Sequence, residues 1–219
     1  EALDLCRAEP EREVIFLAVG FETTAPTIAA TLLRAEADGV ANFSVLCANK
    51  TVPAALNLLV DGGSLHGLLC PGHVTAITGT AIYEPLAARG VACAVSGFGP
   101  LDILHGVARL LEQLADGEPR VENTYARVVR PEGNPKARLL CERVFRPCDA
   151  TWRGLGVIPG SGLTLVEALA ARDAAQRFPG LELEPAREPE GCRCGEILAG
   201  KIGPRECPLF GAACTPEDP

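Results

Sequence analysis

The sequence predicts an α/β protein, in which a parallel-sheet domain of the doubly wound type precedes a smaller, irregular, cysteine-rich segment. Two observations support this prediction. Four short apolar runs alternate with stretches of helical periodicity, which is typical of parallel strands covered by helices on both faces. In addition, four of the ten cysteines follow residue 191, among many glycines and prolines.

The predicted strands are short, continuous apolar runs at residues 14–19, 43–47, 67–70 and 91–95. Each run is followed by a turn and a helical stretch, and we place these helices near Pro26, Pro53, Ala81 and Leu101. Pro26 suits the first turn of its helix, where the missing N–H costs little. Gly90 suits the end of the third helix as a C-cap.

The alternation stops after Gly117. The next stretches predict an irregular strand within residues 122–135, a helix at 137–145, a loop with a short strand at 147–163, and a helix at 165–178. We therefore expect three parts: a parallel-sheet domain (1–118), an intermediate α/β segment (119–184) and a cysteine-rich segment (185–219).

Charge and composition exclude several classes of protein. The net charge of −8 argues against a nucleic-acid partner, which needs a basic face. The apolar runs are too short to span a membrane, and no signal peptide opens the chain, so we expect a cytoplasmic protein. Ten cysteines without a secretory signal favour metal or redox chemistry. The sequence contains no methionine, and we expect a fragment of a longer protein.

The first candidate site lies where the predicted strands end. Parallel strands place their carboxyl-terminal loops at one edge of a sheet, where such folds bind ligands. The loops are residues 20–26, 48–51, 71–75 and 96–100, and the third contains the sequence Cys-Pro-Gly-His at 70–73. We therefore expect a cleft at this edge, lined by the candidate residues Glu22, Thr23, Thr24, Asn49, Cys70, Gly72 and His73.

Structural explanations compete with functional ones at these positions. A cysteine that closes a buried strand, such as Cys70, commonly acts as a small apolar side chain. His73 is either a functional imidazole or a solvated turn residue, while His66 and His105 are weaker candidates. Thr23 and Thr24 suit helix caps. Glu22 is a base, a metal ligand or a partner of a helix dipole.

The second candidate site is a set of cysteines near the carboxyl end. Cys192, Cys207 and Cys214 are spaced C-x14-C-x6-C, and Cys194 lies in the same segment. Thiolates without nearby histidines favour an iron–sulfur cluster or zinc. The spacing alone does not decide between these metals, although zinc knuckles would favour paired C-x2-C motifs, which are absent from the sequence.

Five motifs together closely resemble the HypD family of [NiFe]-hydrogenase maturation factors. They run through the whole chain and are highly specific in combination: FLAVGFETTAPT, LCPGHVTAITG, GFGPLDIL, WRGLGVIPGSGL and GCRCGEILAGKIGPRECPLFGAACTPEDP. The resemblance implies a scaffold with an electron-transfer role, rather than a turnover enzyme, on which the Fe(CN)2CO moiety of the hydrogenase is built. A HypC-like protein would share this scaffold, and a HypE-like protein would deliver cyanide.

The resemblance also implies roles for particular residues. A [4Fe-4S] cluster would bind Cys192, Cys207 and Cys214, with Cys194 as the second choice of ligand. His73 would orient or protonate cyanide or another ligand of the transient Fe(CN)2CO iron, with Cys70 as a second thiol near the iron or a packed strand terminus, and Glu22 in the same catalytic set. Thr23, Thr24 and Gly72 would line the binding site.

The chain departs from the family pattern in three places. It lacks the amino-terminal third, with its iron-binding cysteine and thiol pair, and a fourth cluster ligand would lie beyond residue 219. Gly99 stands where an acidic residue is expected. Two other classes stay open: a zinc-stapled α/β enzyme with a nucleophilic Cys70/His73 pair, and an interaction module whose carboxyl-terminal segment is held by disulfides.

Overall fold

The computed structural model describes residues 1–180 and 188–218, and within them the strands form three small sheets. The predicted α/β class is confirmed, because two of these sheets are parallel and are flanked by helices. The first part of the chain consists of α1 (Ala2–Ala8), β1 (Val14–Gly20), α2 (Ala25–Ala37) and β2 (Phe43–Asn49).

The first sheet pairs β1 with β2 in parallel, from Val14 opposite Phe43 to Gly20 opposite Asn49. Helix α2 begins after Thr24 and carries a proline in its first turn, as predicted. Its buried face contains Ile28 and Leu32, and Leu32 has no exposed surface. This face packs against the sheet in a core that also includes residues of α1 and of the segment after residue 140.

The second sheet has the strand order β3-β4-β5, and all of its pairs are parallel. Its elements are α3 (Val52–Asp61), β3 (Gly67–Pro71), α4 (Gly72–Thr78), a 3-10 turn (Ala81–Tyr83), α5 (Glu84–Ala87), β4 (Ala92–Ser96), α6 (Pro100–Asp116) and β5 (Val121–Asn123). Every residue of β4 is buried. A second apolar core, separate from the first, surrounds this sheet.

The remaining elements follow the second sheet in the chain. They are α7 (Pro135–Val144), β6 (Phe145–Trp152), β7 (Gly156–Leu165), a 3-10 helix (Glu167–Arg172), α8 (Ala174–Arg177), α9 (Cys194–Leu198) and a 3-10 turn (Pro204–Glu206). β6 and β7 form an antiparallel hairpin. No helix in the described part of the chain is long and apolar enough to cross a membrane.

The four predicted strands lie where the sequence places them, but they do not form the single sheet that we expected. The free edge of β2 does not meet β3, because other segments occupy it. Val45 forms a parallel bridge with Asp173, and Lys50 forms an antiparallel bridge with Gly162. Residues far along the chain thus close one side of the first sheet, and β3 starts a second sheet.

Two predictions for the second half of the chain are wrong. Residues 147–163 form most of a hairpin rather than a loop, because Gly154 and Gly156 adopt the positive φ angles that its turn requires. The helix expected at 165–178 is broken at Asp173, whose backbone is extended and whose carboxylate caps the new turn at Ala175. Here tertiary contacts override helical propensity.

Two predictions near the second sheet also need correction. A helix, α4, follows β3 directly, and the third predicted helix is reduced to the 3-10 turn and α5 before Gly90. The irregular strand is limited to β5, which extends the sheet of β3 and β4. The predicted domain boundary at residue 118, just before β5, stays a prediction. The predicted boundary at residue 184 lies outside the described residues.

Candidate functional site

The carboxyl ends of both parallel sheets open onto one cleft of about 640 Å³. Residues that follow β1, β2, β3 and β4 contribute to its walls, so strand-end loops gather here although the strands belong to two sheets. The lining is mostly apolar and consists of Phe21, Thr23, Val52, Pro71, His73, Val74, Ala76, Ile77 and Phe98.

His73 is an exposed residue in the first turn of α4 and lines the cleft. Its ring lies 4.8 Å from the ring of Phe98 and 6.2 Å from the ring of Tyr125, measured between centroids. Its nitrogens make no hydrogen bond within residues 1–180 and 188–218. The imidazole is therefore held by aromatic contacts and keeps both nitrogens available to a ligand.

Gly72 is required by close packing at this position. A Cβ atom on Gly72 would lie 2.5 Å from the carbonyl oxygen of Ser96 and 2.6 Å from Cδ1 of Tyr125. Pro71 ends β3 in an extended conformation, and the chain passes directly into α4. The Pro-Gly pair thus joins a strand to a helix, and the next residue, His73, lies at the rim of the cleft.

Cys70 lies in the core of the second sheet, where its side chain is 2% exposed. Its neighbours in this core include Cys93 and Tyr83. Its thiol donates a 3.6 Å hydrogen bond to the carbonyl oxygen of Leu68. The neighbouring Cys93 thiol, together with burial, holds the pKa of the Cys70 thiol far above its usual range. Cys70 is therefore a protonated, packed strand terminus, while His73, three residues later, lies at the surface.

Glu22 connects the loop after β1 to the start of α3. Its Oε1 atom accepts a hydrogen bond of 2.8 Å from the backbone N–H of Val52. Its Oε2 atom is buried without a hydrogen-bond partner among the described residues. Burial raises the pKa of this carboxyl above its usual value. Of the three roles considered for Glu22, this geometry fits the partner of a helix amino terminus.

The two threonines after Glu22 have different surroundings. Thr23 is exposed and lines the cleft. Thr24 occupies the N-cap position of α2, but its hydroxyl donates a hydrogen bond to the carbonyl oxygen of Phe21 (3.1 Å) and accepts one from the Asn49 amide (3.0 Å). Thr24 therefore joins the ends of β1 and β2, and Thr23 is the threonine that can reach a ligand in the cleft.

The cysteines of the carboxyl-terminal segment are partly or fully buried. Cys207 is 8% exposed, and the other three, Cys192, Cys194 and Cys214, are half-buried. The backbone N–H groups of Arg193 and Leu209 lower the pKa of the Cys207 thiol. Among the described residues, no three His, Cys, Asp or Glu side chains converge as metal ligands. The predicted ligand set therefore stays a prediction.

A family model described as HypD, hydrogenase formation hypA family, matches residues 1–219. The chain belongs to the HypD family. It is 41% identical over 228 residues to the hydrogenase expression/formation protein HupD of Azotobacter chroococcum mcd 1, with 100% of this chain and 60% of that protein covered.

Two further relatives are similar in extent. The hydrogenase maturation factor HypD of Escherichia coli K12 is 40% identical over 223 residues, which cover 99% of this chain and 59% of the relative. A putative hydrogenase expression/formation protein of Methanocaldococcus jannaschii is 39% identical over 221 residues, covering 100% and 62%. The chain thus spans about three fifths of the length of the curated relatives that it matches.

Two aromatic residues near the cleft of this HypD-family chain were not predicted. Trp152 at the end of β6 stacks near Phe21, with 5.8 Å between ring centroids, and the Lys50 ammonium lies 5.2 Å from the Trp152 ring. Tyr125 lies just after β5 and contacts His73. No sequence signal marked Tyr125, because the strand before it, β5, has only three residues.

Proposed function

We propose that this chain acts in the maturation of [NiFe]-hydrogenases, as part of a scaffold on which the Fe(CN)2CO centre is assembled. Membership of the HypD family supports the general role, because relatives that match the chain are named as hydrogenase maturation factors. The observation that carries the proposal is the cleft, where the carboxyl ends of two parallel sheets present an exposed histidine.

The cleft offers suitable surroundings for a small, partly apolar iron complex as substrate. Its walls are mostly apolar, and its polar side chains are His73 and Thr23. A neutral imidazole accepts a hydrogen bond, and an imidazolium donates one to the nitrogen of a bound cyanide. In the proposed role, His73 orients a diatomic ligand or moves a proton to or from it, and the apolar walls exclude water.

We also propose that the carboxyl-terminal segment holds a [4Fe-4S] cluster. The donor chemistry fits, because four thiols occur there and backbone N–H groups lower the pKa of one of them, Cys207, which favours its thiolate form. Cys192, Cys207 and Cys214 would hold the cluster, with Cys194 as the second choice. When bound, the cluster would supply one-electron transfer to the maturation process.

The partners in this proposal are a HypC-like small protein and a HypE-like cyanide donor, in the cytoplasm. Exposed apolar residues beside the cleft offer a docking surface for the small protein. Phe98 is 63% exposed at the rim, next to His73. The acidic net charge of −8 makes a nucleic-acid partner unfavourable.

The geometry does not favour the alternative enzyme with a nucleophilic Cys70/His73 pair. A nucleophilic cysteine needs a lowered thiol pKa and access to the substrate. Cys70 has a raised pKa and is 2% exposed, in contact with Cys93. A scaffold that binds its substrate at His73 is therefore the better-supported function.

A chimaera tests this function. Residues 1–219 would replace the matching part of the Escherichia coli relative, to which they are 40% identical, in a strain that lacks its own copy. We expect the chimaera to restore hydrogenase activity, and a second chimaera with His73→Ala to lose it. A folded, soluble His73→Ala chimaera with full hydrogenase activity would contradict the proposed role of the cleft.

A further inference from the structure

The orientation of His73 depends on neighbouring rings, since its nitrogens make no hydrogen bond within the described part of the chain. Phe98 is one neighbour, but it is 63% exposed and lies on a loop. Tyr125 is the other, and its residue surface is only 9% exposed. A buried ring provides a fixed reference for the imidazole, which the exposed ring does not.

Tyr125 is anchored to the end of the second sheet. Its backbone N–H donates a 3.0 Å hydrogen bond to Oδ1 of Asn123, the last residue of β5. The hydroxyl of Thr124 donates a 2.7 Å bond to the carbonyl oxygen of Val95 in β4. The position of Tyr125 is therefore set by two strands of a buried sheet.

Two glycines allow the Tyr125 ring to pack directly against the backbone of the cleft loops. A Cβ on Gly72 would lie 2.6 Å from Cδ1 of the ring, and a Cβ on Gly97 would lie 2.6 Å from Cε2. Gly72 directly precedes His73, and Gly97 directly precedes Phe98. The Tyr125 ring thus sets the distance between the segment that carries His73 and the loop that carries Phe98.

The Arg127 side chain also contacts the Tyr125 ring. The guanidinium carbon of Arg127 lies 4.4 Å from the centre of the Tyr125 ring. Arg127 is itself fixed by two hydrogen bonds to the carboxylate of Asp102, at 2.8 and 2.6 Å. Asp102 lies in the first turn of α6, so the amino end of this helix supports the ring through Arg127.

We propose that Tyr125, supported by Arg127 and Asp102, is a positioning residue for His73. This inference depends on the proposed function in one respect, because the proposed function is what gives His73 a role. The positioning itself is argued from the contacts of Tyr125. The contact that matters is the aromatic ring, because the ring faces His73 and the two glycines. Replacement by phenylalanine therefore preserves the position of the imidazole, whereas replacement by leucine does not.

Proton NMR of the 219-residue chain tests the inference directly. The sequence has three histidines, so their imidazole signals are assigned from His66→Ala, His73→Ala and His105→Ala variants. In Tyr125→Leu, the nuclear Overhauser contact between the His73 and Phe98 rings should weaken, because the imidazole loses its fixed position, and the shifts of the His73 ring protons should change as the Tyr125 ring current is lost. Those of His66 and His105 should stay. In Tyr125→Phe, all three should keep their shifts.

A core variant separates positioning from general stability. Val91 is 4% exposed in the same apolar core and lies just before β4, at the end of the strand away from the cleft, and Val91→Ala should lower the melting temperature without moving the His73 signals. In the chimaera, Tyr125→Leu should lower hydrogenase activity by about tenfold to 100-fold, and Tyr125→Phe should restore it. Unchanged His73 signals in folded Tyr125→Leu would overturn the inference, whereas full activity of His73→Ala would overturn only the proposed function.

Discussion

The carboxylate of Glu22 and the backbone N–H of Val52 join the two walls of the cleft through one hydrogen bond of 2.8 Å. Glu22 follows β1 in the first sheet, and Val52 begins α3, which contributes to the core of the second. The other carboxylate oxygen, Oε2, is buried and has no hydrogen-bond partner among the described residues. The hydrogen bond therefore links the loop after β1 to the start of α3. Burial of the second carboxylate oxygen disfavours the charged form of Glu22.

Glu22→Gln should change how the stability of the chain depends on pH. Burial raises the pKa of Glu22 in the folded state above its usual value of 4.5, so the folded state binds the proton more tightly than the unfolded state. The stabilisation that protonated Glu22 contributes is therefore fully present below the unfolded-state pKa of 4.5. It is lost as the pH rises through the higher pKa of the folded state. The glutamine retains an acceptor for Val52 and carries no charge, so it lacks this loss.

Urea unfolding between about pH 4 and about pH 8 measures this difference. We expect the unfolding free energy of Glu22→Gln, minus that of the unmodified chain, to become more positive as the pH increases. Glu142→Gln, which neutralises an exposed carboxylate on α7, serves as the control. Parallel curves for Glu22→Gln would show that the carboxylate is not perturbed.

His73→Ala should abolish or greatly reduce hydrogenase maturation by the chimaera. It should leave folding intact, because the His73 side chain is exposed and contributes little to core packing. His66→Ala and His105→Ala are matched controls, since neither residue lines the cleft. Hydrogenase assays and thermal melts on the same three variants provide the measurements. A loss of activity that only follows a loss of soluble protein would assign His73 a structural role.

Serine at Cys192, Cys207 or Cys214 should lower the iron and sulfide content of the chimaera, because a hard alkoxide replaces a soft thiolate. Cys148→Ser is the control: this half-buried thiol lies in the hairpin strand β6, outside the cysteine-rich segment of residues 185–219. Iron and acid-labile sulfide are measured per chain, together with the absorbance of the cluster. Unchanged values in all three variants would refute the ligand assignment.

Arg172→Ala should destabilise the chain by about 2 to 3 kcal/mol, because buried carbonyl groups would lose a charged donor. The guanidinium binds the carbonyl oxygens of Val40 and Phe43 and the carboxylate of Glu36, and Arg172 is 8% exposed. Arg34→Ala removes an exposed arginine paired with Asp38 and should cost clearly less than Arg172→Ala, because exposed ion pairs contribute little to stability. Equal losses of unfolding free energy would contradict the structural role of Arg172.

Phe98→Ala should weaken binding of a HypC-like partner if the cleft rim is its docking surface, because an exposed aromatic ring is a common binding hot spot. Leu111→Ala is a matched control: Leu111 is 61% exposed on α6, compared with 63% for Phe98. Copurification and calorimetric titration of the chimaera with the partner measure the effect. Equal affinities for both variants would place the docking surface elsewhere.

The sequence predicts the local elements that apolar periodicity specifies. The runs that become β1, β2, β3 and β4 are continuous, which is typical of buried parallel strands, and their loops meet at the cleft as expected. Of the seven residues predicted to line the cleft, His73 and Thr23 do so, and the prediction rested on parallel strands placing their carboxyl-terminal loops together. This inference needed only the direction of the strands, so it holds although the strands form two sheets.

Other features depend on contacts between distant residues, which a local pattern does not contain. The division into two sheets follows from the bridge between Val45 and Asp173, more than a hundred positions later in the chain. Arg172 bonds to backbone carbonyls near β2, and these contacts fix the segment where a continuous helix was expected. Tyr125 follows a strand of three residues, too short to show any periodicity.

Because the chain has two separate apolar cores, we expect it to open in two cooperative units. One core is built around β1 and β2, and the other around β3, β4 and β5. Opening of one core leaves the contacts inside the other intact, so amide hydrogen exchange should sort the protected protons into two groups with different opening free energies. A ligand that contacts both walls of the cleft would stabilise both groups together, and slower exchange in both sheets would reveal its binding without any assay of chemistry.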